Sequence, residues 1–239
     1  MMLSPQQDRW KRNAAVRAVA EVGNGMVLGL GSGSTAAFAI EALAERIAEG
    51  LHVVGIPSSE ATATLAQRHG IPLATFAEHR RIDITIDGAD QVECATLNLI
   101  KGLGGALLRE KILASASDRM IVVVDETKLV NRLGGQTPLP VEIVPFGWQV
   151  VCERLSAIGC APRLRLAGER PFTTDGGNYI ADCTFAHIPD SAALATKLSS
   201  MVGVIESGLF IAMASMIVVG RPTGVEVIEN QRPPTAVCR

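Results

Sequence analysis

Aromatic residues are scarce: Phe, Trp and Tyr make up 4% of the 239 residues, too few to build stacking platforms for bases or sugar faces. No long basic run occurs and the formal net charge is −2, which argues against a dedicated nucleic-acid binder. No apolar stretch approaches the ~20 residues of a membrane-spanning helix. Residues 1–12 are polar and lack the apolar core of a signal peptide, so a cytoplasmic location is expected. The five cysteines, Cys94, Cys152, Cys160, Cys183 and Cys238, include no C-x-x-C pair. Their odd number fits reduced, structural thiols. The four histidines, His52, His69, His79 and His187, are scattered without metal-ligand spacing, so no metal is expected. Internal repeats and low-complexity segments are also missing.

What the chain does have is apolar content, at 48%, ample for a sizeable core. Ser4 suits an N-cap, Pro5 the first helical position, and Gln7 completes a capping box. Trp10, Ala14, Ala18 and Val22 then recur every four residues, as an inward helical stripe does. Met26-Val27-Leu28 reads as a short buried strand, residues 29–35 as a glycine loop, and Ala36 to Ala48 as a helix. The pattern repeats. A strand is expected at His52 to Ile56, a helix from Ser58-Ser59 to His69-Gly70, a strand at Ile82 to Ile86, a helix from about Gly105 to Ser115, and a strand at Met120 to Val124. Strands alternating with helices predict βαβ units and a parallel sheet.

After Asn131 the texture changes. Residues 133–138 look like a linker. Strands are expected at Val141 to Val144 and Arg163 to Leu166, helices at Trp148 to Ile158 and Ser191 to Met201, and a hairpin turn at Asp175-Gly176-Gly177-Asn178. This β-α-β-β-α order suits a small split βαβ unit. Ala214 to Gly220 then reads as a strand of the main sheet, turning at 221–224 into Val225 to Ile228. The expected fold is α/β: a Rossmann-like open, mostly parallel sheet flanked by helices, with a smaller inserted α+β domain of split βαβ, ferredoxin-like type. Residues 1–132 and 206–239 would form the main domain and 133–205 the insert.

Two segments carry chemistry. The loop Gly29-Leu30-Gly31-Ser32-Gly33-Ser34-Thr35 lies between a strand and a helix, where backbone N–H groups and the helix dipole bind anions. It is not a dinucleotide fingerprint, since Ser34 stands at the third glycine position, and no Gly-Lys-Ser/Thr makes it a Walker A loop. A tight turn without a ligand is the plain alternative. The second segment runs from Asp87-Gly88-Ala89-Asp90 through Lys101-Gly102-Leu103-Gly104-Gly105 to Arg109-Glu110-Lys111. It follows a buried strand, and the carboxyl ends of such strands are where open α/β sheets place ligands. Acids, a lysine and a glutamate so close together suit proton transfer on a small anionic substrate. An Asp-rich turn, a surface lysine and a solvated helix face would account for the pieces singly.

Together, Gly31-Ser32-Gly33-Ser34-Thr35-Ala36, Asp87-Gly88-Ala89-Asp90, Ile100-Lys101-Gly102 and Leu108-Arg109-Glu110-Lys111-Ile112 resemble the signature blocks of type A ribose-5-phosphate isomerase. They stand in that family's order and approximate spacing. Asp125 to Lys128, Pro138 to Glu142, Thr174 to Asn178 and Gly208-Leu209-Phe210 extend the resemblance over nearly the whole chain, from the first helix to Val227. Three positions depart from the family pattern: Gln91 replaces Glu, Leu103 interrupts a run of glycines, and Leu108 stands where Thr is common.

The family interconverts ribose 5-phosphate and ribulose 5-phosphate without metal or cofactor. The resemblance therefore implies a sugar phosphate as partner, no nucleic acid, no membrane, no cofactor, and a homodimer or dimer of dimers. It makes Glu110 the proton-transferring base and puts Ser32, Gly33, Ser34 and Thr35 in the substrate-binding loop. Asp87, Gly88, Ala89, Asp90, Lys101, Gly102, Leu103 and Gly104 would surround the substrate, with Lys128 as a further contact. Lys11 matches a basic residue near the phosphate, with Arg9 and Arg12 competing for that role. An aldose–ketose isomerisation through an enediolate needs one base and donors beside a developing oxyanion. Lys101 and nearby backbone N–H groups would serve the oxyanion, Asp87 ring opening, and Asp90 the orientation of hydroxyls. Two other functions remain at this point. A sugar-phosphate-sensing domain of a transcription regulator would need a DNA-binding segment, for which there is no room before Met26. An amino-sugar-phosphate deaminase would want a histidine, and none lies between Asp87 and Glu110.

Overall fold

The structure is a computed structural model that describes residues 5–230; the expected N-cap Ser4 and the cysteine Cys238 lie outside the described residues. The chain divides into two compact units.

The first unit takes in the described residues of Met1–Ala89, Arg109–Leu129 and Ala212–Arg239. Its six-stranded sheet runs in the order Gly224–Glu229, Met216–Arg221, Ser117–Asp125, Ile82–Gly88, Val27–Leu30, Val54–Pro57. All neighbours are parallel except the terminal hairpin of Met216–Arg221 with Gly224–Glu229. Strands buried on both faces are near-continuously apolar, and Met120 to Val124 are all buried here. Helices Pro5–Val19, Gly33–Ala48 and Glu60–Arg68 belong to this unit, with most of Leu107–Ser115. The stripe expected on the first helix is realised by small side chains: Ala14, Ala15 and Ala18 are fully buried. They let the helix lie close to the sheet. At Gly220 a Cβ would come 2.2 Å from the Trp10 carbonyl oxygen, so this approach requires glycine. The strand expected at Ile82 to Ile86 reaches Gly88, which makes Asp87 itself a strand residue.

The second unit comprises Asp90–Leu108 and Val130–Ile211. One four-stranded sheet has the order Val204–Ser207, Leu139–Ile143, Tyr179–Thr184, Ala161–Leu164, with all neighbours antiparallel. Helices Trp148–Ser156 and Ser191–Ser199 follow its first and third strands in chain order. That is the β-α-β-β-α-β succession of a split βαβ unit, completed by a strand, Val204–Ser207, that the sequence pattern did not show. Val141, Ile143, Val151, Leu155 and Ala181 are among its buried core.

This unit is larger than the 133–205 insert expected. Residues 90–108, 130–132 and 206–211 join it. The physical reason is a second four-stranded sheet, in the order Leu209–Phe210, Leu99–Ile100, Gln91–Glu93, Leu129–Val130. Strands of two or three residues are too short to display a period. Cys160 and Cys183 are buried in this unit, Cys152 is half-buried and Cys94 exposed, and these four are free thiols. Among the described residues no helix is long and apolar enough to cross a membrane.

Candidate active site

In the first unit, the Ile82–Gly88 strand delivers Asp87 in a buried position, 1% exposed. Asp87 Oδ1 accepts the amide N–H groups of Ser32, at 3.1 Å, and Gly88, at 2.8 Å. A carboxylate holding backbone amides makes strong, charge-assisted hydrogen bonds. The loop comes this close only because residue 31 lacks a side chain. A Cβ there would lie 2.2 Å from Asp87 Oδ1 and 2.6 Å from its Cα. The Gly31 N–H donates to the Ile86 carbonyl at 3.0 Å, and its own carbonyl accepts the Thr62 hydroxyl at 3.0 Å. Thr62 is held in turn by the N-cap Ser59 of the Glu60–Arg68 helix.

Ser32 is the N-cap of the Gly33–Ala48 helix, with extended backbone, yet its hydroxyl makes no cap. It donates instead to Glu110 Oε1. Glu110 is 4% exposed on the Leu107–Ser115 helix. The loop read as an anion cradle therefore touches the residue read as the base. Gly33 and Ser34 are exposed and Thr35 is half-buried, at a helix N-terminus whose amides and dipole favour anions. Gly88 packs beside Thr35: a Cβ on Gly88 would lie 3.4 Å from the Thr35 Cβ. Ala89 is half-buried.

Of the three basic candidates on the first helix, Arg9 and Arg12 are exposed and Lys11 is buried. Arg12 pairs with Glu41 at 2.7 Å. Lys11 Nζ lies 3.6 Å from Asp125 Oδ2, with both side chains at most 3% exposed. Asp125 Oδ1 also accepts the N–H and hydroxyl of Thr127, capping the turn Glu126–Lys128. One buried carboxylate thus organises both the lysine at 11 and the turn that ends in Lys128. Sequence reading did not single out Asp125 as a site residue.

In the second unit, Asp90 and the loop 101–105 form their own arrangement. Lys101 is 3% exposed, its N–H donates to the Gly208 carbonyl at 2.9 Å, and its Nζ lies 5.4 Å from the centroid of the Phe210 ring. The Asp90 N–H donates to the Ile100 carbonyl at 2.8 Å, and Asp90 Oδ2 accepts the Leu103 N–H at 3.0 Å. Gly102 and Gly105 have φ of +102° and +86°, a region that favours glycine. Leu103 and Gly104 are not in it. Leu103 is also 42% exposed. The departure from a glycine run therefore falls where the backbone suits any residue. Gln91 uses its amide fully: Nε2 donates to the Gly134 carbonyl and Oε1 accepts the Gly134 N–H, both at 2.9 Å. A glutamate there could accept but, when ionised, not donate. Nothing in the structure explains the leucine at 108.

Two residues of this unit had no signal in the sequence. Arg165 donates to the carbonyls of Gly102 and Leu103, and Asp182 holds the Arg165 guanidinium through two hydrogen bonds. Neither lies in a motif. The cross-strand pairing of Ala161–Leu164 with Tyr179–Thr184 brings them together. Among the described residues no group of three or more His, Cys, Asp or Glu is clustered to hold a metal ion. A cavity of about 410 Å³ in the first unit, lined by Ile56, Leu73, Phe76, Arg109 and Ile112, contains none of the expected site residues.

Residues 54–224 match the family model of ribose 5-phosphate isomerase A (phosphoriboisomerase A). The ribose-5-phosphate isomerase A of Gloeobacter violaceus is 54% identical over 227 residues, covering 95% of this chain and 99% of its own. That of Gluconobacter oxydans is 54% identical over 219 residues, covering 90% and 94%. Among solved structures, ribose 5-phosphate isomerase A from Methanocaldococcus jannaschii superposes with a TM-score of 0.90 at 41% identity, covering 94% of this chain and 100% of that one. A D-ribose-5-phosphate isomerase in complex with phospho-erythronic acid also gives a TM-score of 0.90, at 38% identity over 93% of this chain and 99% of that one.

Proposed function

This chain belongs to the ribose 5-phosphate isomerase A family, aldose–ketose isomerases of the pentose phosphate pathway, and on that premise we propose that it interconverts D-ribose 5-phosphate and D-ribulose 5-phosphate through an enediolate with Glu110 as the base. The observation that carries the assignment is the hydrogen bond from Ser32 to buried Glu110. It fixes the carboxylate beside the loop that would bind substrate. A base held in one orientation can take a proton from C2 and return it to C1 of the same substrate.

The other roles follow from chemistry. The amides and hydroxyls of Ser32 to Thr35, with Lys11 and Lys128, take the phosphate, and that remote binding energy places the reacting carbons. Asp87 exchanges a proton with the ring or anomeric oxygen during ring opening. Lys101 stabilises the enediolate oxygen, Asp90 orients hydroxyls, and Gly88, Ala89, Gly102, Leu103 and Gly104 line the sugar. A related isomerase was solved with phospho-erythronic acid. That molecule joins a phosphate to a carboxylate, and the carboxylate resembles the paired oxygens of an enediolate. The same family membership supports a cytoplasmic homodimer or dimer of dimers, which light scattering coupled to size-exclusion chromatography tests.

The decisive assay is conversion of ribose 5-phosphate to ribulose 5-phosphate with a chelator present, for the wild type and for Glu110→Gln. We expect chelator-resistant turnover in the wild type. In the variant, kcat should fall by roughly 10²–10⁴-fold, the range for loss of a general base. Near-normal kcat in Glu110→Gln rejects the base; binding without turnover in the wild type points to a sensor.

A further inference from the structure

The loop 101–105 is gripped by a side chain about sixty residues away. Arg165 Nη1 donates to two successive carbonyls, Gly102 at 3.1 Å and Leu103 at 2.9 Å. Its other two nitrogens are committed elsewhere: Nε to Asp182 Oδ2 at 2.9 Å and Nη2 to Asp182 Oδ1 at 2.5 Å. The Phe172 ring lies 5.8 Å from the guanidinium carbon and packs against Gly105, where a Cβ would come 2.5 Å from Phe172 Cζ. All three nitrogens of the fork have a defined partner, and the Arg165 side chain is 14% exposed.

The consequence lies in the peptide planes. A trans peptide holds its C=O and N–H antiparallel, so fixing one direction fixes the other, and among the described residues no peptide bond is cis. The 102–103 peptide is held at both ends, by Arg165 at its oxygen and by the Asp90 carboxylate at its N–H. The 103–104 peptide has Arg165 at its oxygen in the same way. Among the described residues its N–H, on exposed Gly104, has no acceptor. The first peptide shows the pattern of cation, carbonyl, amide and anion complete. The second shows it with the anion still to come.

We propose that Arg165 is a positioning residue for the isomerisation: it fixes and polarises the 103–104 peptide so that the Gly104 N–H meets a developing oxyanion of the substrate, while Asp182 keeps the guanidinium in register. This rests on the isomerase reading above and adds to it the side chain that aims one of the backbone donors near Lys101. Pre-oriented amides lower barriers because they need no reorganisation as charge develops. A lysine cannot replace the arginine, since one ammonium cannot serve both the bidentate carboxylate and the two carbonyls with fixed geometry.

The test is a double-mutant cycle of Arg165→Lys and Asp182→Asn. It measures kcat and KM for ribose 5-phosphate, competitive inhibition by inorganic phosphate, and the melting temperature. We expect Arg165→Lys to lower kcat about 10–100-fold, the scale of an ångström-level misplacement, with KM and phosphate inhibition within about threefold. The double variant should be no slower than Arg165→Lys alone, because Asp182 acts through Arg165. Guanidinium ion at millimolar concentration should restore part of the rate to Arg165→Ala. Unchanged kcat in a folded Arg165→Lys overturns the proposal, and so do additive losses that follow melting temperature. Should Arg165→Lys fail to fold, Asp182→Asn carries the test, with a fall in kcat at constant KM supporting it and an unchanged kcat overturning it. A wild-type chain without isomerase activity overturns the functional reading itself, which is a separate and distinguishable result.

Discussion

The molecule contains two glycine loops that its sequence marks alike, and they are held differently: one by a carboxylate, the other by a carboxylate and a guanidinium together. In the first unit, the loop 29–35 is tied through its N–H groups: the Asp87 carboxylate accepts the Ser32 amide, and glycine at 31 lets the chains approach. In the second unit, the loop 101–105 is tied on both sides of its backbone: its carbonyls take the Arg165 guanidinium, and the Asp90 carboxylate accepts the Leu103 N–H. A carboxylate at the N–H groups keeps that loop closely fitted to its strand. A guanidinium at two successive carbonyls fixes the opposite ends of the same peptides as donors, one to Asp90 and the other, on Gly104, to the proposed oxyanion. Glycine content shows where a backbone must come close or turn; only the holding group shows which side of the backbone is offered to a ligand.

The largest effect is expected from breaking the first loop at its tightest point. In Gly31→Ala the new methyl meets Asp87 at 2.2 Å and must displace its backbone as well, with Cα at 2.6 Å. Overpacking of this kind costs about 1–3 kcal/mol, read as a lower melting temperature, and kcat should collapse because Ser32 and Asp87 both move. Gly104→Ala is the matched change in the second loop. No heavy atom lies within 4 Å of its new methyl and its φ is not positive, so the melting temperature should stay near that of the wild type. Equal destabilisation by the two substitutions would erase the contrast between the loops.

An intermediate effect separates capping from catalysis in the first loop. An N-cap serine usually contributes about 0.5–2 kcal/mol through its hydroxyl. Ser32 makes no such bond and turns its hydroxyl to Glu110. Ser32→Ala should therefore melt close to the wild type while kcat falls roughly 10–150-fold, the equivalent of the ~1.5–3 kcal/mol of a hydrogen bond to a charged group. A melting temperature several degrees lower with kcat intact would make Ser32 an ordinary cap.

The contrast also explains what could be read from residues alone. The central sheet was legible because strands such as Ser117–Asp125 are long and carry a continuous apolar run, here Met120 to Val124. The first loop was legible because its motif and Asp87 lie at adjacent strand ends, as a parallel sheet requires. The second loop was half legible. Lys101 and its glycines stood out, but Arg165 directly follows the Ala161–Leu164 strand and Asp182 lies on Tyr179–Thr184, strands that pair only once the chain has folded. The extent of the second unit was hidden for a similar reason. Leu99–Ile100 and Leu209–Phe210 are two-residue strands whose pairing spans more than a hundred residues, and no local period announces them.

The smallest predicted effect is the most discriminating for the second loop. Leu103 replaces glycine in a stretch where Lys101 and the Gly104 N–H are both proposed to act, and a side chain there looks disruptive on paper. The structure argues otherwise. Leu103 is 42% exposed, its φ is not positive, and its contacts with Asp90 and Arg165 use only its N–H and C=O, which glycine also has. Leu103→Gly should therefore leave kcat within about threefold and lower stability by about 0.5–1 kcal/mol, the entropic cost of freeing a backbone that leucine restricts in the unfolded chain. That cost should appear as a small drop in melting temperature at unchanged KM. A large gain in kcat would mean that the leucine side chain obstructs the sugar. A large loss would mean that it closes over the substrate, and the loop would then be held by its side chain as well as by the charges at its backbone.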